Sequence, residues 1–339
     1  MSKRIVLIGP GAIGGITAAF LAKAGEDITV VCKHPSLTEQ ISGKGLHLTG
    51  ICGDQWIPMK AVTTIEELEG VFDFCLIATK VYDMPPCARA MLPHLKADSL
   101  VVSMQNGICT ELLASVVGEE RTVGCSIGIG GTMTTQGEIT MTGTGDFIIG
   151  QTGKQSPRLQ ELAQALSHVT HTRVADDIYA ELYSKLIVNA CITSLGAICG
   201  LRLGEMMKRR DARKIFLAIV GEAVKTADAM HLTIPPYAGK LNYHKLMAGS
   251  SPLDDFRRHL TIRVVGIKYR RLKSSSLQSL ERGRLTEVDC FNGYISEKGH
   301  ALGVATPVCD RLTAMIHEEE AGKRKICIEN LADPVFAAL

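Results

Sequence analysis

The glycines Gly9, Gly11 and Gly14 follow the apolar run "RIVLI" and open "AIGGITAAFLAKA". This is a G-x-G-x-x-G pattern, whose chemistry is the binding of a dinucleotide pyrophosphate. The first glycine permits a tight turn, the second lets the backbone approach phosphate, and the third allows close helix–strand packing. Phosphates would sit at the helix start beside Ala12 and Ile13, where N–H groups and the helix dipole favour anions. A second candidate is Lys185, inside the apolar run "YAELYSKLIVNACITSLGAICG". Glu181 precedes it by four residues and Asn189 follows by four, so all three share one helix face. An ammonium is costly to bury, so Lys185 either reaches the surface or has a purpose there. A third group, Glu287, Asp289 and Asn292, stands in "TEVDCFNG". Spacing alone does not separate a site from a capping box or a solvated face.

These residues need elements to hold them. Residues 4–8 read as a strand, 12–24 as a helix and 28–32 as a second strand, which is the βαβ unit the glycine pattern requires. Strands at 72–79 and 99–104 alternate with helices at 83–95 and 109–117, and a short helical segment spans 66–68. Apolar strands alternating with helices imply a parallel sheet covered on both faces. The Gly- and Thr-rich stretch 124–150 reads as hairpins finishing the first domain, followed by a helix over 157–168. From Asp176 onward the patterns are helical, over 177–199, 211–231, 252–282 and 285–302. The expected architecture is an α/β Rossmann-type N-terminal domain with a mostly parallel sheet, residues 1–175, followed by an all-α C-terminal domain, residues 176–339.

The end of the second strand bears on the cofactor. A site for NAD usually has an acid there to hold the ribose hydroxyls. This chain has Lys33 and His34, while Glu26 and Asp27 lie at the other end of the strand. A cation suits a 2′-phosphate, so NADP(H) is expected. Lys80 and Asn106 follow the next two strands, and ligands bind outside such carboxyl ends. Asn106, in "QNG", suits a plain turn equally well.

Composition narrows the function classes. The chain has 339 residues, 46% hydrophobic and 21% charged, with a net charge of +2. That balance gives no sign of nucleic-acid binding. The eleven cysteines are scattered without C-x-x-C spacing, which suits free thiols in a reducing compartment and neither disulfides nor a metal site. No secretory signal opens the chain, and the uncharged run 186–201 is shorter than the ~20 residues of a membrane helix. A cytoplasmic protein with no metal, membrane or nucleic-acid partner is expected, and the apolar helical half leaves room for a homodimer. The Arg- and Lys-rich stretch 257–284 reads as a solvated helix face or a binding patch.

In order along nearly the whole chain, "GPGAIGG", "ATK", "QNG", "AELYSKLIVN", "SSSLQSLERGRLTEVDCFNGYI" and "GVATPVCDRL" resemble the ketopantoate reductase (2-dehydropantoate 2-reductase) family. The resemblance implies NADPH-dependent reduction of ketopantoate to (R)-pantoate in pantothenate and coenzyme A biosynthesis. It implies that Lys185 supplies the proton to the carbonyl oxygen as hydride reaches the adjacent carbon, and that Glu287 holds the resulting hydroxyl. It assigns Asn189 and Ser275 to substrate, Asn106 to both substrate and nicotinamide, Lys33 to the 2′-phosphate and Lys80 to the cofactor cleft. A small 2-oxo acid carries a carboxylate, which cationic and hydroxyl donors would surround. Where the family often has a second substrate-side Asn, this chain has Thr193, and its stretch 233–273 is longer than in compact members. Two alternatives stand beside this reading: a paralogue reducing another branched 2-oxo acid, and a non-catalytic NADP(H) sensor.

Overall fold

The computed structural model describes residues 3–339 and divides into two compact units at Leu182/Tyr183. The first unit carries twelve strands: β1 (Arg4–Ile8), β2 (Asp27–Val31), β3 (Leu46–Gly50), β4 (Gln55–Ile57), β5 (Lys60–Val62), β6 (Phe72–Ile77), β7 (Leu95–Ser103), β8 (Thr122–Ile127), β9 (Gly130–Thr135), β10 (Glu138–Gly143), β11 (Phe147–Gly150) and β12 (Thr172–Val174). Eight of them form one sheet in the order β12-β11-β8-β7-β6-β1-β2-β5. Every neighbouring pair is parallel except β8 and β11. The central strands are continuous apolar runs; all six residues of β6 are buried. This is the pattern of a sheet covered on both faces.

The helices of this unit are α1 (Ala12–Lys23), α2 (Pro35–Gly43), α3 (Met84–Met91), α4 (Thr110–Val117) and α5 (Arg158–Leu166). Helix α1 buries Gly14 through Ala19 and Leu21, because it packs both on the large sheet and against β9 and β10 of a second sheet. That second, four-stranded sheet has the order β4-β3-β10-β9. Sequence reading expected hairpins over 124–150 but not their destination. Only β9 and β10 form a hairpin here, and β10 pairs in parallel with β3, about ninety residues earlier in the chain, whereas β8 and β11 join the large sheet. Short strands carry too little pattern to announce so distant a partner.

One buried charge ties the strand starts together. Asp73 on β6 accepts from the Arg4 backbone N–H (3.0 Å), Lys96 Nζ (2.6 Å) and an Arg158 guanidinium nitrogen (2.6 Å). Burial by itself raises its carboxyl, but these donors outweigh it and hold the group at about 2.

The chain passes into the second unit within α6 (Ile178–Cys199), and the remaining helices are α7 (Leu203–Lys208), α8 (Arg210–Ala229), α9 (Tyr243–Met247), α10 (Pro252–Lys268), α11 (Ser275–Glu281), α12 (Asn292–Ala301), α13 (Pro307–Glu320) and α14 (Pro334–Ala337). Among the described residues no strand follows β12. Helix α6 spans 22 residues with a mean hydropathy of 1.5, enough by length and composition to cross a membrane, but 78% of that window is buried inside the protein.

The expected helix over 252–282 is interrupted. Its Arg270 and Leu272 carbonyls accept from Gly204 N–H (3.3 Å) and Leu203 N–H (3.0 Å) at the start of α7, and Ser274 then caps a new helix through Leu277 N–H. Carbonyls claimed from outside cannot continue the helical ladder, and serine favours the N-cap. The pattern over 285–302 likewise opens as a 3-10 turn, Val288–Cys290, before α12 begins.

Candidate functional site

The first unit gathers its candidates at the carboxyl ends of β1, β2, β6 and β7. Strand β1 lies between β6 and β2, so the chain leaves β1 to one side and later returns to the other. Such a reversal of strand order is where open α/β sheets bind ligands. Gly9 occupies the turn with φ +89°, which L side chains rarely adopt, and an added Cβ would lie 2.9 Å from Thr79 Cγ2. Its N–H donates to Val31 O at 3.1 Å, locking the turn to β2. A Cβ on Gly14 would sit 2.3 Å from Gly9 O and 2.9 Å from Ala78 Cβ, so α1 can approach the turn only without a side chain there.

Gly11 differs from both. A Cβ there would meet nothing within 4 Å, so no protein packing explains its missing side chain. Gly11 is the N-cap of α1; no side chain caps the helix, and its first turn, with half-buried Ala12 and Ile13, holds no acid. The start of a helix that no side chain caps, with room for a close approach at Gly11, fits a phosphate.

Lys33 is exposed, two residues past β2. The acids at the other end of that strand are engaged elsewhere: Asp27 with Lys60 at 3.1 Å and Glu26 with His168 at 3.4 Å. Lys80 is half-buried and starts a 3-10 turn, Val81–Asp83. Asn106 is half-buried just past β7.

A residue that sequence reading quoted but did not single out fixes these last two. Gln105 is 5% exposed, and its amide donates to Ile77 O (2.9 Å) and Thr79 O (3.0 Å) while Ser103 Oγ donates to its carbonyl (2.7 Å). It clamps the end of β6 to the end of β7, and so ties together the two strand ends that Lys80 and Asn106 follow. The signal was its place in "QNG", directly before the asparagine.

The second unit builds its candidates from side chains. Half-buried Lys185 and Asn189 stand one turn apart on α6. The Asn189 Nδ2 is buried and has no hydrogen-bond partner. A buried donor without an acceptor is costly, so it marks a place where a ligand oxygen would be stabilised. Gly196 lies on the same face two turns further on, where an added Cβ would be 2.7 Å from Ser274 Oγ. This close approach brings the start of α11, with Ser275 as its exposed first residue, against α6. Thr193 Oγ1 donates to Asn189 O at 2.7 Å, so its hydroxyl proton is spent on its own helix.

The "TEVDCFNG" group separates on folding. Glu287 is 8% exposed, whereas the Asp289 side chain is 70% exposed and pairs with His317 at 2.9 Å. The turn carrying Glu287 is held by Thr286 N–H donating to Glu320 Oε1 (2.7 Å) and by Cys290 N–H donating to Glu287 O (2.9 Å). Asn292 is fully buried; its carbonyl accepts from Ser194 Oγ on α6, and its amide points at Cys309 Sγ. Of the three polar residues, one is a buried candidate acid, one is a surface ion pair, and one ties α12 to α6. Among the described residues, no group of three or more His, Cys, Asp or Glu could hold a metal.

Comparison with known proteins agrees with this division. Residues 5–154 match the family model described as ketopantoate reductase PanE/ApbA, and residues 177–320 match its C-terminal counterpart. The chain is 24% identical over 327 residues to a 2-dehydropantoate 2-reductase of Aquifex aeolicus, covering 94% of this chain and 98% of that protein. It is 27% identical over 323 residues to one of Pyrococcus abyssi, covering 94% and 98%. Among solved structures, a PanE/ApbA family ketopantoate reductase from Ralstonia eutropha JMP134 superposes with a TM-score of 0.80 at 24% identity, covering 94% of this chain and 99% of that one. D-mandelate dehydrogenase with NADH and anilino(oxo)acetate superposes with a TM-score of 0.79 at 24% identity, covering 95% and 100%. The glycine turn at a strand-order reversal, the Lys185–Asn189 face and two family models spanning most of the chain together make this protein an oxidoreductase of the ketopantoate reductase family.

Proposed function

We propose that the chain reduces 2-dehydropantoate to (R)-pantoate with NADPH, the step that feeds pantothenate and coenzyme A synthesis. The observation that carries this reading is the Lys185–Asn189 face, with an orphaned Asn189 amide one turn from an ammonium on a largely buried helix. The names of the curated relatives support the same substrate. Residues through 175 form the cofactor domain in this reading, and residues 176–339 carry the catalytic groups.

When bound, the dinucleotide supplies a hydride to the 2-oxo carbon. Gly9, Gly11 and Gly14 with the first turn of α1 hold its pyrophosphate, Lys33 neutralises the 2′-phosphate, and Lys80 and Asn106 line its nicotinamide end. Negative charge then develops on the substrate oxygen. Lys185 stabilises that charge and passes one Nζ proton to the oxygen, giving the hydroxyl, and regains a proton from solvent. Glu287 accepts a hydrogen bond from the new hydroxyl. Asn189 donates to the substrate, and Ser275 donates to its carboxylate.

The absence of an acid at the end of β2 supports NADPH over NADH. Lys33→Asp should reverse the ratio of kcat/KM for the two cofactors, and an unchanged ratio would remove Lys33 from the assignment. A second substrate reading rests on Thr193, whose proton is committed to Asn189 O and which therefore offers the substrate tail no donor. This favours a less polar 2-oxo acid. NADPH oxidation measured with ketopantoate beside a panel of branched and aromatic 2-oxo acids decides between them. NADPH binding with no turnover on any of these would instead support a sensor. All eleven cysteines are free thiols, which supports a reducing, cytoplasmic setting.

A further inference from the structure

Helix α6 has a front and a back. Past its first turn the half-buried residues are Lys185, Val188, Asn189 and Ile192, which fall on one side. Ser194 comes nine residues after Lys185, about half a turn round the helix from it at 3.6 residues per turn. It is fully buried, and its buried neighbours along α6, Ala190, Cys191, Leu195, Ala197 and Ile198, are apolar. A hydroxyl is out of place in such company unless it is bonded.

Its partner is Asn292, also fully buried. Ser194 Oγ donates to the Asn292 side-chain carbonyl, and the Asn292 amide donates to Cys309 Sγ on α13 at 3.7 Å. Cys309 is itself placed by Glu222 of α8, whose carboxylate accepts from the Val308 and Cys309 N–H groups at 2.8 and 2.9 Å. Asn292 is thus held on both sides. From Asn292 the chain leads back to Glu287 through a closed turn. Phe291 N–H donates to Val288 O at 3.0 Å, Cys290 N–H to Glu287 O at 2.9 Å, and Val288 N–H to Thr286 Oγ1 at 3.2 Å. Glu287 therefore stands five residues from a fixed point on the back of α6, while Lys185 stands on its front.

Apolar packing is non-directional, so helices that meet through it alone can rotate or slide at little cost. A buried hydrogen bond works only over a narrow range of distance and angle, and so fixes register. We propose that the Ser194–Asn292 bond fixes the offset between Lys185 and Glu287, and that Asn292 is a positioning residue for the reaction. The inference rests on the proton-donor and hydroxyl-holding roles given above to Lys185 and Glu287. Asn292 acts through them.

Steady-state kinetics with NADPH and ketopantoate on the purified full chain, beside thermal melting, tests this. Ser194→Ala/Asn292→Leu removes both partners together, so neither is left buried and unpaired. It should keep a melting temperature close to the wild type's and an unchanged NADPH affinity, while kcat falls by about 10–100-fold. In a Lys185→Ala background the same two changes should cost no further turnover, because the group being positioned is gone. Ser194→Ala, smaller by one oxygen, carries the same cycle if the double variant does not fold. Equal fold losses in the two backgrounds would reduce the bond to a structural contact and overturn the proposal. Wild-type turnover in the Ser194 and double variants, with turnover lost in Lys185→Ala, would overturn it alone. Normal turnover in Lys185→Ala would overturn the functional reading and this inference with it.

Discussion

The two units build their candidate groups in opposite ways. In the first, recognition is built from backbone and from what is missing: a positive φ at Gly9, a close approach at Gly14, an open space at Gly11 and an uncapped helix start. In the second it is built from what is present: an ammonium, an orphaned amide and a buried carboxylate set on α6 and on the turn before α12. A backbone cradle suits a cofactor fragment shared by many enzymes, because N–H groups recognise phosphate whatever is attached to it. Side chains suit the reacting group, since only they can be charged and exchange a proton.

The contrast breaks most visibly at Lys185. Lys185→Ala should lower kcat by about 10²–10⁴ while leaving NADPH affinity unchanged, measured by steady-state kinetics beside a binding titration. Near-normal turnover would remove the second unit's central residue from the chemistry.

The glycines offer an internal control of the first unit. Gly14→Ala drives a Cβ against Gly9 O and Ala78, so it should cost both thermal stability and more than about tenfold in NADPH affinity. Gly11→Ala meets no protein atom, so the melting temperature should hold while NADPH affinity falls. Equal affinity in Gly11→Ala and wild type would remove Gly11 from the cofactor assignment.

A smaller effect sharpens the account of the second unit as the one holding strained polar groups. Glu319 on α13 is 8% exposed, and its Oε2 has no partner. Burial pushes its carboxyl from the ordinary 4.5 to about 8. The folded protein therefore keeps this proton until about pH 8, whereas the unfolded chain releases it near 4.5. Between those values the unfolded state binds fewer protons, so stability falls as pH rises, by up to about 1.4 kcal/mol per unit. Glu319→Gln should lose that slope: its melting temperature should gain on wild type at pH 8 and not at pH 4. Parallel pH profiles would refute the buried-acid account.

The smallest expected effect lies at the clamp between strands. Gln105→Leu removes two donors from the carbonyls of Ile77 and Thr79 and should cost about 1–3 kcal/mol of stability by denaturant unfolding. It should also raise KM for NADPH through the displaced Lys80 and Asn106. A variant with lower stability and unaltered KM would reduce Gln105 to scaffold alone.

What the sequence determined by itself was local. The glycine spacing, the βαβ period, the basic residue after β2 and the four-residue step from Lys185 to Asn189 all lie within a few turns of chain, and each is set by backbone geometry that composition and period express directly. The resemblance of its motifs pointed to the family, which the family models bear out. Tertiary structure decided what depends on contacts between distant segments. It paired β3 with β10, broke 252–282 at the carbonyls claimed by α7, buried Glu287 while sending Asp289 to His317, and gave Gln105 its clamp. Whether a polar residue is buried, and which carbonyl it reaches, is fixed by packing between elements that no periodicity along one of them records.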